Sequence, residues 1–155
     1  MQQRFYFDTS VFGGLFDSEF EEETVLLFEK VTLGQIRCIY SNLTESELTN
    51  APERVGDYFV NIPENCKEKI LVTPDALILA QTYIEEKVVG ETSLDDCIHI
   101  ATATLHKVDM LVSWNFKHIV NLSRIRQYNS VNIKKGYSFV EIRSPRDIIK
   151  EEEND

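Results

Sequence analysis

No run of apolar residues in this 155-residue chain approaches the ~20 that a membrane-crossing helix needs. The opening "MQQRFYFD" lacks the basic-then-apolar pattern of an export signal, so the expectation is a cytoplasmic protein with no membrane association. Cysteine is scarce as well. Cys38, Cys66 and Cys97 are odd in number and lack metal-type spacing, which reads as reduced, buried thiols rather than a disulfide framework or a zinc site. There is no internal repeat, no low-complexity tract and no Gly/Ser/Pro linker, so the chain reads as one domain over 1–150 with an acidic tail at 151–155. Neither a GxGxxG nor a GK(S/T) loop is present, which removes the common phosphate-cradling motifs.

Basic residues are also in short supply. Sixteen Lys and Arg face 26 Asp and Glu, a formal net charge of −10, so the molecule as a whole repels a nucleic-acid backbone. Part of that excess sits in "DSEFEEE" (17–23) and in the tail "KEEEND", either of which reads as a solvated surface or as a dock for a basic partner.

What is present is a regular alternation. A hydrophobic fraction of 43% and an aromatic fraction of 10% suit a globular core. Short apolar runs at 5–7, 36–40, 69–73 and 110–113 read as strands, with "YSFVEI" (137–142) as an edge strand. Between them lie helical patterns: "EETVLLFEKVTLGQ" stopping at Gly34, a helix start in "SNLTESELTNAP", "PDALILAQTYIEEKVVG" with Pro74 in its first turn, and "TSLDDCIHIATATLHKVD". Strands alternating with helices imply parallel βαβ units and an α/β fold with helices on both faces of the sheet. Ligands in such folds bind outside the carboxyl ends of the strands, where strand order reverses.

Four polar residues are delivered to that edge. Asp8 ends the first strand, Glu47 lies in the helix after the second, Asp96 opens the helix before the fourth, and Asn115 follows the fourth. Each also has a capping explanation. Asp8 and Asn115 are good N-caps, and "TESE" (44–47) and "SLDD" (93–96) read as capping boxes. Acids gathered at one edge repel, since two like charges ~4 Å apart cost about 4 kcal/mol at an effective dielectric of 20. A hard divalent cation with oxygen ligands relieves that repulsion, and the combination suits phosphodiester hydrolysis.

These segments resemble the PIN-domain family of metal-dependent ribonucleases. "YFDTSVFGG" is similar to its opening strand and first aspartate, and "YSNLTESEL" to the element in which Ser41 ends a strand and Glu47 faces the site. "LDDCIHIATA" supplies Asp96, "MLVSWNFKHI" supplies Asn115 at a D/N position, and "GYSFVEIRSP" resembles the terminal strand. The resemblance implies a three-layer α/β/α fold with a mainly parallel sheet, Mg²⁺ or Mn²⁺ dependence, and cleavage of single-stranded RNA. It implies, further, a homodimer and a cognate antitoxin, as for VapC-type toxins. Asp8, Glu47 and Asp96 would be the metal ligands and Asn115 a weaker fourth member. Asp95 competes with Asp96 for its register, and Glu45 is a rival to Glu47.

Thr9 and Ser10 are candidates to orient the metal shell or contact phosphate, or else they meet a turn requirement. Lys117 and Arg124, with Arg126, Lys134 and Lys135, are candidates for an RNA-backbone track, or else a solvated basic face. His99, His106 and His118 read as ordinary packed or surface histidines, and Trp114 as a packing residue or a base-stacking platform. Two other readings stay open. One is a catalytically weak PIN-like nucleic-acid-binding or regulatory module. The other is a phosphoacceptor domain, which lacks a Lys-Pro pair after a late strand.

Overall fold

The computed structural model describes residues 2–154. Five strands form one sheet in the order β3-β2-β1-β4-β5, and every neighbouring pair is parallel. They are β1 (Gln3–Phe7), β2 (Ile36–Ser41), β3 (Lys67–Ile70), β4 (Met110–Val112) and β5 (Ile142–Arg143). Strand side chains alternate between faces, and β1 shows the consequence. Phe5 and Phe7 enter one core with Phe12, Phe28 and Phe59, whereas Tyr6 enters the other with Ile39, Tyr83, Ile100 and Leu111.

The first core lies under α1 (Thr9–Gly14), α2 (Glu21–Thr32), α3 (Asn42–Thr49), α4 (Glu53–Asn61) and α8 (Pro145–Glu153). The second lies under α5 (Pro74–Glu85), α6 (Leu94–Leu105) and α7 (Leu122–Lys134). The result is the three-layer α/β/α architecture. Its chain order reverses at β1, because β2 and β3 are added on one side and β4 and β5 on the other.

Two strands differ from the sequence reading. The third ends at Ile70 rather than reaching residue 73, because its partner β2 ends at Ser41, opposite Ile70. Beyond it, the amide of Val72 donates to Asn42 Oδ1 at 2.9 Å instead of to a strand. The last strand is only Ile142–Arg143, since β4 offers three residues. The preceding Val140 is tied at both its amide and its carbonyl to the side chain of Asn129, at 2.8 and 3.0 Å. The end of α2 follows the sequence: Gly34 adopts φ 77° just past the helix, and the next amide, Gln35, donates to Lys30 O at 3.0 Å. At the other terminus Glu151, Glu152 and Glu153 continue α8, and Asp155 lies outside the described residues.

The segment after Asp8 is a six-residue helix rather than a turn, and its two glycines have different roles. A Cβ at Gly14 would stand 2.6 Å from Trp114 Nε1 and 2.8 Å from Thr24 Oγ1, whereas one at Gly13 meets nothing within 4 Å. Trp114 Nε1 donates to Thr24 Oγ1 there at 2.9 Å. Gly14→Ala is therefore expected to destabilise by about 1–3 kcal/mol through overpacking. Gly13→Ala is expected to stabilise by about 0.5–1 kcal/mol through helix propensity. Urea unfolding of the two variants checks the opposite signs.

Candidate functional site

Asp8 follows the last residue of β1, at the carboxyl edge where strand order reverses. Its backbone amide donates to Val112 O at 3.1 Å, which locks it beside the end of β4. The side chain is only 4% exposed. Ser10 Oγ donates to one carboxylate oxygen at 2.6 Å and Ser113 Oγ to the other at 2.7 Å. Both hydroxyls are themselves oriented, because Ser10 Oγ accepts from the Trp114 amide and Ser113 Oγ from the Asn115 amide. Burial pushes the Asp8 carboxyl above the usual carboxylate range against the pull of these hydroxyls and of His99, and Glu47 adds to the rise.

Glu47 faces the same edge from α3. Its Oε1 accepts from Thr9 Oγ1 at 2.7 Å and stands 2.5 Å from His99 Nε2. Burial acts to raise this carboxyl, but the His99 hydrogen bond and charge, with the Thr9 hydroxyl, hold it below its ordinary value. The rival Glu45 pairs with Lys69 at 2.6 Å.

Asp96, in the first turn of α6, accepts from Asn115 Nδ2 at 3.2 Å, while its neighbour Asp95 is exposed. Burial, then the charge of Asp8, then those of Glu47 and Asp95, push Asp96 up to about 6, against the pull of His99. Asp96 thus feels the charges of Asp8 and Glu47, and Asp8 that of Glu47, across the edge.

Capping does not account for the acids. Asp8 occupies the N-cap position of α1 but makes no side-chain cap bond. The box of α3 joins Ser41 to Thr44, with Ser41 in the extended conformation that a cap requires, so Glu47 is free of it. Ser93 makes no cap bond, and the expected box over 93–96 does not form. Asn115 caps no helix either, since a turn follows it, but its Oδ1 accepts from the amides of Lys117 and His118 at 3.2 and 2.9 Å.

Two of the basic candidates are engaged with other groups. Lys117 is exposed just beyond Asn115, whereas the Arg124 guanidinium donates to Val88 O and Lys134 pairs with Glu86. Trp114 is 5% exposed and stacks on Phe20 with ring centroids 4.1 Å apart, so its buried face offers no platform for a base.

The sequence reading gave His99 no more than a packed or surface role and did not single out Ser113. His99 lies at i+3 from Asp96 on α6 and hence on the same helix face. A tyrosine at an inward strand position, Tyr6, also demanded a polar partner. Together these two signals point to the histidine, though neither was used to single it out.

Asn115 turns its Nδ2 to Asp96 and its Oδ1 to two backbone amides, whereas the three carboxylates suit a hard dication in kind. Their present arrangement is not closed around one. Among the described residues no three His, Cys, Asp or Glu side chains stand in metal-holding geometry, with Glu47 Oε1 turned to His99 and Thr9. The described helices include none long and apolar enough to cross a membrane.

No family model and no curated protein matches the chain. Solved structures do. A chain of the toxin-antitoxin complex from Klebsiella pneumoniae superposes with a TM-score of 0.54 at 22% identity, covering 73% of this chain and 88% of that one. One from VapBC2 of Rickettsia felis, bound to a DNA fragment from its promoter, gives 0.55 at 12%, covering 92% and 98%. VapC20 of Mycobacterium tuberculosis, a Sarcin-Ricin loop cleaving toxin, gives 0.57 at 14%, covering 88% and 98%. At these identities the likeness is one of architecture, and the chain has the PIN-type fold of VapC-like toxin-antitoxin structures.

Proposed function

We propose that the chain is a Mg²⁺- or Mn²⁺-dependent endoribonuclease that hydrolyses RNA phosphodiester bonds, acting as the toxin of a bacterial toxin-antitoxin pair. One observation carries this reading. A buried carboxylate, Asp8, is held at the fold's ligand edge with Glu47 and Asp96 close enough to raise its pKa or be raised by it. Such a grouping is costly without a cation.

Asp8, Glu47 and Asp96 would hold the metal. The chemistry such a cation supplies when bound is a water of lowered pKa and a counter-charge for phosphate. The chain's own residues do the rest. Ser10 and Ser113 orient both oxygens of Asp8, Thr9 orients Glu47, and Asn115 holds Asp96 through its amide. Lys117, exposed beside Asn115, offers a positive contact for a backbone phosphate on an otherwise acidic protein. A cognate antitoxin would silence the enzyme, and a homodimer is its proposed assembly, in keeping with the toxin-antitoxin complexes that share its fold.

A second reading, a catalytically weak RNA-binding or regulatory module, draws on the neutral amide at Asn115 and on the engagement of Glu47 by His99. Metal titration of the melting temperature separates these readings from a purely structural cluster. Mn²⁺ at 100 times its Kd stabilises the folded state by about 2.7 kcal/mol, roughly 5–10 °C for a domain of this size. A shift of that order followed by cleavage of single-stranded RNA supports the nuclease. A shift without cleavage supports the weak module, and no shift at millimolar Mn²⁺ or Mg²⁺ refutes the metal reading.

A further inference from the structure

His99 is 2% exposed and stands between two oxygen partners. Its Nδ1 lies 2.6 Å from the Tyr6 phenol oxygen and its Nε2 2.5 Å from Glu47 Oε1. The Tyr6 oxygen lies 2.7 Å from Ser41 Oγ, which in turn accepts from the Thr44 amide. Proton placement along this chain is constrained. Ionised Glu47 can only accept, so Nε2 carries a hydrogen. With a neutral ring, Nδ1 then accepts from the Tyr6 hydroxyl, and the Tyr6 oxygen accepts from the Ser41 hydroxyl. Each hydrogen has one role, in the direction Ser41 to Tyr6 to His99 to Glu47, and none is left without a partner.

The same geometry divides the Glu47 carboxylate. Oε1 is taken by His99 and Thr9, while Oε2 makes no hydrogen bond among the described residues. We propose that Tyr6 and His99 are a positioning pair that holds Glu47 by Oε1 and leaves Oε2, without a protein partner, as the oxygen that would be offered to a cation. This rests on the metal-dependent reading above. Outer partners of this kind fix the orientation of a ligand, and their loss typically costs 10–100-fold in metal affinity. His99 reaches Glu47 from α6 with Tyr6 behind it, and the Tyr6 and His99 ring centroids lie 5.6 Å apart. Glu47 is thereby braced from within the core.

The first test needs no metal. Imidazole ¹⁵N shifts of the full chain at pH 7 should show His99 protonated at Nε2, the nitrogen facing Glu47, and Tyr6→Phe should move the Nδ1 resonance. The opposite tautomer, or an Nδ1 indifferent to Tyr6→Phe, overturns the proposal whatever the metal does. The second test is Mn²⁺ affinity by electron paramagnetic resonance. His99→Leu should weaken it 10–100-fold, His99→Gln should recover part of the loss because its amide can donate to Oε1, and Tyr6→Phe should lose less than His99→Leu. Equal Mn²⁺ affinity in wild type and His99→Leu overturns the positioning role. Failure of wild type to bind Mn²⁺ overturns the metal-dependent reading instead, and the tautomer then decides whether His99 holds Glu47 at all.

Discussion

Asp8→Asn is expected to abolish RNA cleavage, by at least about a hundred-fold, while leaving the metal-free protein as stable as wild type or more so. Asn has the same shape as Asp. Its carbonyl can keep one of the two serine hydroxyls as a donor, and the other hydroxyl can rotate to accept from the new amide. What disappears is a buried negative charge that burial, and then Glu47, push above the carboxylate range. Asp96→Asn should behave alike, and pH gives the sign. The Asp96 carboxyl titrates at about 6 in the fold against 3.8 when free. A raised pKa means that its contribution to stability is fully present below about 3.8 and is lost as pH rises through 6. The advantage of Asp96→Asn over wild type, in melting temperature without metal, should therefore be largest above pH 6 and close as pH falls toward 3.8. A large loss of melting temperature in both variants at pH 7.5 would show instead that the carboxylates serve the fold.

Asn115→Asp should act in the opposite sense and with comparable force. Asn115 Nδ2 donates to Asp96 Oδ2 at 3.2 Å, so an aspartate there replaces a hydrogen bond by facing charges. At ~4 Å and an effective dielectric of 20 that repulsion is about 4 kcal/mol. Relaxation and solvent leave a smaller net cost, which should still lower the metal-free melting temperature by several degrees. The turn bonds from the Lys117 and His118 amides survive, since Asp accepts as well as Asn does. With Mn²⁺ present the fourth acid becomes an asset, and Mn²⁺ affinity should rise by an order of magnitude or more. Calorimetry with and without metal reads both halves. An Mn²⁺ affinity that is unchanged or weaker would place Asn115 outside the reach of the cation.

Much of the fold was legible because local chemistry and tertiary demand agree. Phe5, Tyr6 and Phe7 read as a strand and are one, and Gly34 ends its helix in the left-handed conformation that glycine favours. Legibility failed where a partner elsewhere in the chain set the outcome. Residues 71–73 are apolar enough for a strand, yet β2 ends and leaves them nothing to pair with. Residues 137–141 alternate like a strand, yet the Asn129 side chain takes the hydrogen bonds of Val140.

The site divides in the same way. By itself the sequence determined which segments bring acids to the ligand edge: Asp8 one residue past a strand, Glu47 or its rival Glu45 in the helix after the second, and Asp96 or Asp95 in the first turn of another helix. Only the tertiary structure decided what those acids touch. Ser113 stands 105 residues from Asp8 and His99 lies 52 from Glu47, and each meets its carboxylate because β1, β4 and α6 converge there. Nothing in either local segment encodes the meeting. A hydrogen bond is made by position in space, and position in space between distant segments is set by strand order and by the packing of two cores, not by the residues on either side.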